Sequence, residues 1–191
     1  IMNYVMQTFI FKKGQRMISS TGVELPGFAI PASVGCALVN SKNNTICLCE
    51  DLGFEINSKV LEIIREKDLP IKILVFRSVG YSNIRKIQRE YFGGRYIGTI
   101  NEQSKVPDLL NIGGTYGFET CEINNANNLG KQIKYVINSK NSIICIIQLD
   151  SNIDLTPRIV MDVNSKGEWE AKPLDDMYPF LDKDLLKKYV N

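Results

Sequence analysis

The sequence predicts an α/β fold, a doubly wound and mostly parallel sheet with helices on both faces. Three observations predict it. Short apolar runs alternate with helix-period segments from Thr45 to Leu149. Within TICLCEDLGFEINSKVLEIIREKDLPIKILVFRSVGY (residues 45–81), two such runs, 46–49 and 71–76, flank one helical segment that Leu69-Pro70 stops. So short a return makes the strands parallel and the crossover right-handed. Finally, SIICIIQL (142–149) is apolar at successive positions, as a strand covered on both faces must be, and belongs at the centre of the sheet. Parallel strands finish on one edge, so Asp51 and Ser78, 27 positions apart, meet at the carboxyl edge where open α/β sheets bind ligands.

The elements follow in order. Residues 1–13 (IMNYVMQTFIFKK) fit a helix or an entering strand equally. Gly14-Gln15 is a turn, 16–19 a short strand, and 20–28 a loop rich in turn residues. AIPASVGCALV (29–39) is a helix with no polar face, expected to be buried against the sheet or another subunit, with Pro31 tolerated in its first turn. After the 45–81 unit, SNIRKIQREYF is an amphipathic helix and 93–99 a glycine-rich loop; Arg85 and Gln88 on that helix are read as solvated or interface residues. Pro107 lies in the first turn of another helix, which ends near Gly113-Gly114 or Gly117. Residues 118–123 form a strand, 125–138 a helix, and 142–149 the central strand. The domain thus covers 1–150, and 151–191 is a tail packing on the domain or on a partner subunit.

Composition narrows the function. A chain of 191 residues with 44% hydrophobic content makes one ordinary domain with a real core. A net charge of +2 without a dense Lys/Arg cluster gives no basis for a nucleic-acid partner. No apolar run reaches membrane-spanning length or resembles a signal peptide, so no membrane partner is expected and the cytoplasm is the default compartment. The chain opens at Ile1 in mid-pattern and reads as a fragment of something longer. Histidine is absent, which removes histidine triads and histidine metal sites. The five cysteines, odd in number and set in apolar runs, are expected to be buried, reduced thiols, with Cys47 and Cys49 on opposite faces of their strand.

The order of pieces resembles a known family. Glu50-Asp51-Leu52, a spacer, then Arg77-Ser78 followed by Val79-Gly80-Tyr81 is similar to the GDG and NN-x-Gly-Tyr signature of thiamine-diphosphate enzymes. Upstream, Ile18-Ser19-Ser20-Thr21-Gly22 and Gly27-Phe28-Ala29-Ile30-Pro31-Ala32 resemble that family's serine-glycine loop and helix start. Downstream, Ile84-Arg85, Gln88, Phe92, Gly94-Arg95-Tyr96, Pro107-Asp108 and Tyr116-Gly117 keep the same order. From about Gln7 to Asp150 the chain looks like the C-terminal, pyrophosphate-binding domain of the acetolactate synthase and pyruvate decarboxylase group.

The resemblance implies thiamine diphosphate and Mg²⁺ as cofactors. It implies Asp51, Ser78 and the Gly80 carbonyl as metal ligands, since Mg²⁺ takes hard oxygen donors. The implied cofactor-binding residues are Gly22, Leu25, Pro26, Asp51, Leu52, Gly53, Arg77, Ser78, Gly80 and Tyr81. Four residues depart from the family's pattern. Glu50 and Leu52 replace glycines, bringing a carboxylate and a side chain toward the pyrophosphate. Ser78 replaces the metal-binding Asn with a shorter oxygen ligand, and Arg77 replaces its neighbour with a group able to pair with phosphate directly. Pro26 has no N–H to give the aminopyrimidine.

Two functions follow from the resemblance. One is the cofactor domain of an acetolactate synthase-like enzyme that decarboxylates and ligates 2-keto acids as part of a longer chain. Its partner is an N-terminal pyrimidine-binding domain of the same or a second subunit, carrying the activating glutamate, in a homodimer or homotetramer. No catalytic residue then lies in these residues, and the isolated domain is inactive. The other is a diverged, non-catalytic domain of the same fold serving assembly or regulation. A third reading, a nucleotide held by Arg77 at the same edge, needs only the sheet geometry.

Overall fold

Four apolar runs form one parallel sheet in the computed structural model, which describes residues 1–23, 25–39, 44–78, 82–99, 107–150 and 154–190. The strands are β1 (Thr45–Glu50), β2 (Ile71–Arg77), β3 (Glu119–Ile123) and β4 (Ile143–Gln148), in the order β1-β2-β4-β3. Every pairing is parallel. β4 lies between β2 and β3, so the expected central strand is central, and Ile143, Ile144, Cys145 and Ile146 are all buried. The chain divides into two compact units, 1–152 and 153–191.

Helices cover both faces of the sheet, as the alternating pattern requires. On one face lie α2 (Ala29–Val39), α3 (Asp51–Ile56), α4 (Leu61–Glu66) and α6 (Leu109–Thr115). Their Ile30, Val34, Phe54, Leu61, Ile64 and Leu109 share a core with Ile73, Val75 and Ile144 of the strands. On the other face Val136 of α7 (Leu129–Asn138) packs with Leu74, Ile123, Ile143 and Cys145. Cys47 and Cys49 sit in the same core rather than on opposite faces, because residues two apart on a strand share a side. All five cysteines are free thiols; Cys47, Cys49 and Cys145 are buried, and Cys36 and Cys121 are partly covered.

Several elements differ from expectation or settle an alternative that was open. Residues 2–8 are a helix, α1 (Met2–Thr8). Residues 16–19 make no strand; Met17 and Ile18 remain exposed with no strand paired to them. The helix after β1 is broken into α3, a 3₁₀ turn (Ser58–Val60) and α4 around Asn57, which leaves the helical region at φ −113° and ψ 22°. Pro107 precedes α6 rather than entering it. Asp108 is the cap, its Oδ1 accepting from the N–H groups of Leu110 (3.0 Å) and Asn111 (3.2 Å). α7 starts at Leu129, because Asn125 Oδ1 accepts the Asn127 N–H at 2.9 Å and Asn128 adopts φ 57°.

α2 buries only the stripe Ile30, Ser33, Val34 and Ala37; Leu38 and Val39 at its end stay exposed. α5 (Ser82–Tyr91) buries no residue fully. The second unit contains more structure than a tail. It holds an antiparallel hairpin of β5 (Met161–Val163) and β6 (Trp169–Ala171), and α8 (Lys183–Val190). Lys172 Nζ lies 3.4 Å from both Asp162 and Asp176 in that unit.

One charge lies inside the sheet. Lys72 of β2 is buried, and its Nζ donates to the Pro70 carbonyl at 3.1 Å. Burial pushes its pKa below the ordinary 10.5, because desolvation disfavours the ammonium. Lys72→Met keeps an unbranched stem and removes that charge. It is expected to raise stability to urea unfolding by about 1 kcal/mol; a loss of stability would show that the Pro70 hydrogen bond outweighs the desolvation.

Candidate functional site

β1 and β2 run parallel with Glu50 opposite Phe76. The strands end together there: Asp51 follows Glu50 as the first residue of α3, and Arg77 and Ser78 follow Phe76. Cys47 and Cys49 of β1, and Ile73 and Val75 of β2, face the α2–α3 core, so Asp51 and Arg77 are in phase with that side. Asp51 and Ser78 are both buried although polar. The Asp51 Oδ1 accepts the Leu52 N–H at 2.9 Å as α3 begins. The Ser78 hydroxyl donates to Ser82 Oγ at 3.2 Å, leaving its lone pairs for another partner. Arg77 is half-buried, and no hydrogen bond or ion pair reaches its guanidinium among the described residues.

The loop before α2 is fastened to α3 by two glycines. Residues 25–28 turn with the Phe28 N–H donating to the Leu25 carbonyl at 3.4 Å, Pro26 in the second place and Gly27 in the third at φ 89°. This is the type II arrangement, in which a missing proline N–H costs nothing. The Gly27 carbonyl accepts from Asn57 Nδ2 at 2.8 Å. A Cβ on Gly27 would stand 2.2 Å from that same nitrogen, and a Cβ on Gly53 would stand 3.1 Å from the Gly27 nitrogen. The positive φ favours glycine at 27, and a side chain at 53 would crowd the Gly27 backbone.

The remaining residues singled out in the sequence are placed less centrally. Leu25 and Pro26 are exposed on the turn, and Gly22 is exposed in a separate turn at φ 90° with open space about it. Leu52 is helical and partly buried; its φ is not positive, so the backbone at this position does not require glycine. Gly80 and Tyr81 lie outside the described residues. Glu50 is exposed, in phase with Leu48 on the opposite face from Asp51, and its carboxylate contacts the amino group of Ile1. Nearby Tyr4 has its pKa raised, first by burial and then by the Glu50 charge.

Arg85 and Gln88 are not simply solvated. Arg85 Nη2 donates to the Ser78 carbonyl at 2.9 Å, and its Nη1 donates to the Thr99 carbonyl at 3.3 Å. Gln88 Nε2 donates to the Ile97 carbonyl at 2.9 Å, and its Oε1 accepts from the Thr99 hydroxyl. One turn apart on α5, the two side chains bind the loop 97–99 to the helix, and Arg85 also holds the end of β2. The signal in the sequence was that spacing of two long polar side chains ahead of a glycine-rich loop that has no strand of its own.

The donor chemistry of this edge fits a hydrated, phosphate-bound Mg²⁺: a buried carboxylate and a buried hydroxyl supply two hard oxygens. No cluster of three or more His, Cys, Asp or Glu among the described residues could hold a metal by itself.

The family model for the thiamine pyrophosphate enzyme C-terminal TPP binding domain matches residues 2–147. The acetolactate synthase large subunit of Pyropia yezoensis is 24% identical over 151 residues, covering 79% of this chain and 25% of that protein. The acetolactate synthase isozyme 2 large subunit of Escherichia coli (strain K12) is 22% identical over 156 residues, covering 82% of this chain and 28% of that protein. The chain thus spans about a quarter of the length of the curated relatives it matches. The crystal structure of benzoylformate decarboxylase from Polynucleobacter necessarius shares the fold, with a TM-score of 0.59 over 68% of this chain and 24% of that one, at 15% identity.

Removing the Arg85 fork should loosen both segments it holds. In Arg85→Ala, amide hydrogen exchange is expected to quicken at residues 77–78 and 97–99 while β4 keeps its protection. Unchanged exchange at both segments would show that the two carbonyl contacts do not fix this edge.

Proposed function

Because the chain belongs to the family of C-terminal TPP-binding domains of thiamine pyrophosphate enzymes, we propose that it holds thiamine diphosphate and Mg²⁺ at the carboxyl ends of β1 and β2, as residues 1–150 of an acetolactate synthase-like enzyme acting on 2-keto acids within a longer chain. The observation that carries this reading is that Asp51 and Ser78, which follow the two strands of a parallel pair at their carboxyl ends, are both buried. Asp51, the Ser78 hydroxyl and the Gly80 carbonyl are assigned to the metal. The backbone of Leu52 and Gly53 lies against the phosphates, with Arg77 beside them. Gly22, Leu25, Pro26 and Tyr81 are assigned to the rest of the cofactor. When bound, thiamine diphosphate supplies the carbanion-stabilising chemistry. The protein's part here is to fix the diphosphate and keep the two loops in place.

Several features support a partner. Ile84 and Ile87 of α5, and Leu38 and Val39 of α2, are apolar and exposed. They suit a pyrimidine-binding domain of the same or a second subunit, in a homodimer or homotetramer, with 151–191 packing on the domain or on that subunit. Five free thiols suit a reducing, cytoplasmic compartment. Among the described residues no helix is long and apolar enough to cross a membrane. A diverged, non-catalytic role in assembly is the second reading. Pro26 favours it, because an exposed proline turn offers no N–H to a bound ring.

The two readings part in a calorimetric titration of thiamine diphosphate into the chain, with ADP as control. The cofactor reading expects micromolar binding in Mg²⁺, weakened roughly tenfold or more by Asp51→Ala, with Mg²⁺ no longer improving the affinity of that variant. No binding at millimolar ligand by a folded sample would favour the assembly role. Binding of ADP in preference to thiamine diphosphate would replace the cofactor with a nucleotide.

A further inference from the structure

We propose that the guanidinium of Arg77 binds the diphosphate group directly, so that this edge holds its anion through a fixed protein cation as well as through a divalent metal. The inference rests on the reading of the β1–β2 edge as a diphosphate site. Three observations carry it.

The first is position. Arg77 is the last residue of β2, at the edge where α3 begins after β1, and it alternates in phase with Ile73 and Val75, which face the α2–α3 core. The second is the lack of a partner. Arg77 is half-buried, yet its guanidinium meets no acceptor among the described residues. The other half-buried arginines are engaged: Arg85 grips the carbonyls of Ser78 and Thr99, and Arg158 pairs with Asp154 at 3.5 Å. A partly desolvated guanidinium without an acceptor is unfavourable, and its planar fork matches two phosphate oxygens.

The third is rigidity. Arg77 pairs with Gln148 of β4, and its carbonyl accepts the Leu149 N–H at 2.9 Å. The charge is therefore mounted on a strand fixed from both sides, which limits the ordering cost of binding. Electrostatics gives it a task. The Asp51 carboxylate begins α3 at this edge and repels an anion, so a diphosphate here needs compensating positive charge. Mg²⁺ with two protein oxygens supplies part of it, and Arg77 supplies a part that no chelator removes.

The test is calorimetry of thiamine diphosphate against wild type, Arg77→Ala and Arg77→Lys, each in Mg²⁺ and in EDTA. Wild type should bind in EDTA roughly tenfold more weakly than in Mg²⁺ but measurably. Arg77→Ala should lose a further 10–100-fold, roughly, in EDTA, and Arg77→Lys should recover part of it. Should Arg77→Ala fail to fold, Arg77→Gln makes the same comparison. Equal affinities of wild type and the neutral variant in EDTA, or wild-type binding that vanishes entirely in EDTA, would overturn the role of Arg77 and leave the metal site standing. A folded wild type that binds in neither buffer would overturn both.

Discussion

Six successive register pairs, from Thr45–Ile71 to Glu50–Phe76, hold β1 parallel to β2. A parallel pair ends on one edge, so whatever follows either strand is delivered to the same place. Asp51 follows β1 and Ser78 follows β2, and both are buried there. Buried apolar side chains on both faces of β2 and β4 keep this pairing from sliding, because a slip of one residue would turn Ile73 and Val75 toward the α7 side and Leu74 toward the α2–α3 core. The site thus inherits its geometry from the core. Its own contacts are few.

Those few contacts join separate stretches of chain. Gly27 meets Gly53 and accepts from Asn57, which sets the loop before α2 against the helix that Asp51 begins. Arg85 spans Ser78 and Thr99, which sets the end of β2 against the loop after α5. Both links terminate on backbone carbonyls, so they fix chain position without consuming the polar side chains left for a ligand. The Ser78 hydroxyl and Arg77 are among those side chains, with the buried Asp51 at the start of α3. An edge with one carboxylate, one hydroxyl and one guanidinium that meets no acceptor among the described residues is suited to an anion carried with a cation.

Much of the fold was legible because its causes are local. The bounds of α2 follow from its small apolar residues and early Pro31, and the 45–81 unit from two apolar runs with a proline stop. The edge position of Asp51 and Ser78 needs only the rule that such a unit is parallel. Other features have distant causes. The break at Asn57 accompanies its hydrogen bond to Gly27, 30 residues away. Arg85 and Gln88 take their partners from a loop whose path the sequence does not reveal. The hairpin of β5 and β6 has strands of three residues each, too short for alternation to register. The expected penalty of Glu50 did not account for its phase on the strand, which turns it away from Asp51.

The measurement that bears most directly on the β1–β2 edge is a crystal structure of the chain grown with thiamine diphosphate and Mg²⁺. The diphosphate should lie across the carboxyl ends of β1 and β2, with the metal between its oxygens and those of Asp51 and Ser78. An anion seated elsewhere on the molecule, with Asp51 and Ser78 untouched, would contradict the assignment of this edge as the cofactor site.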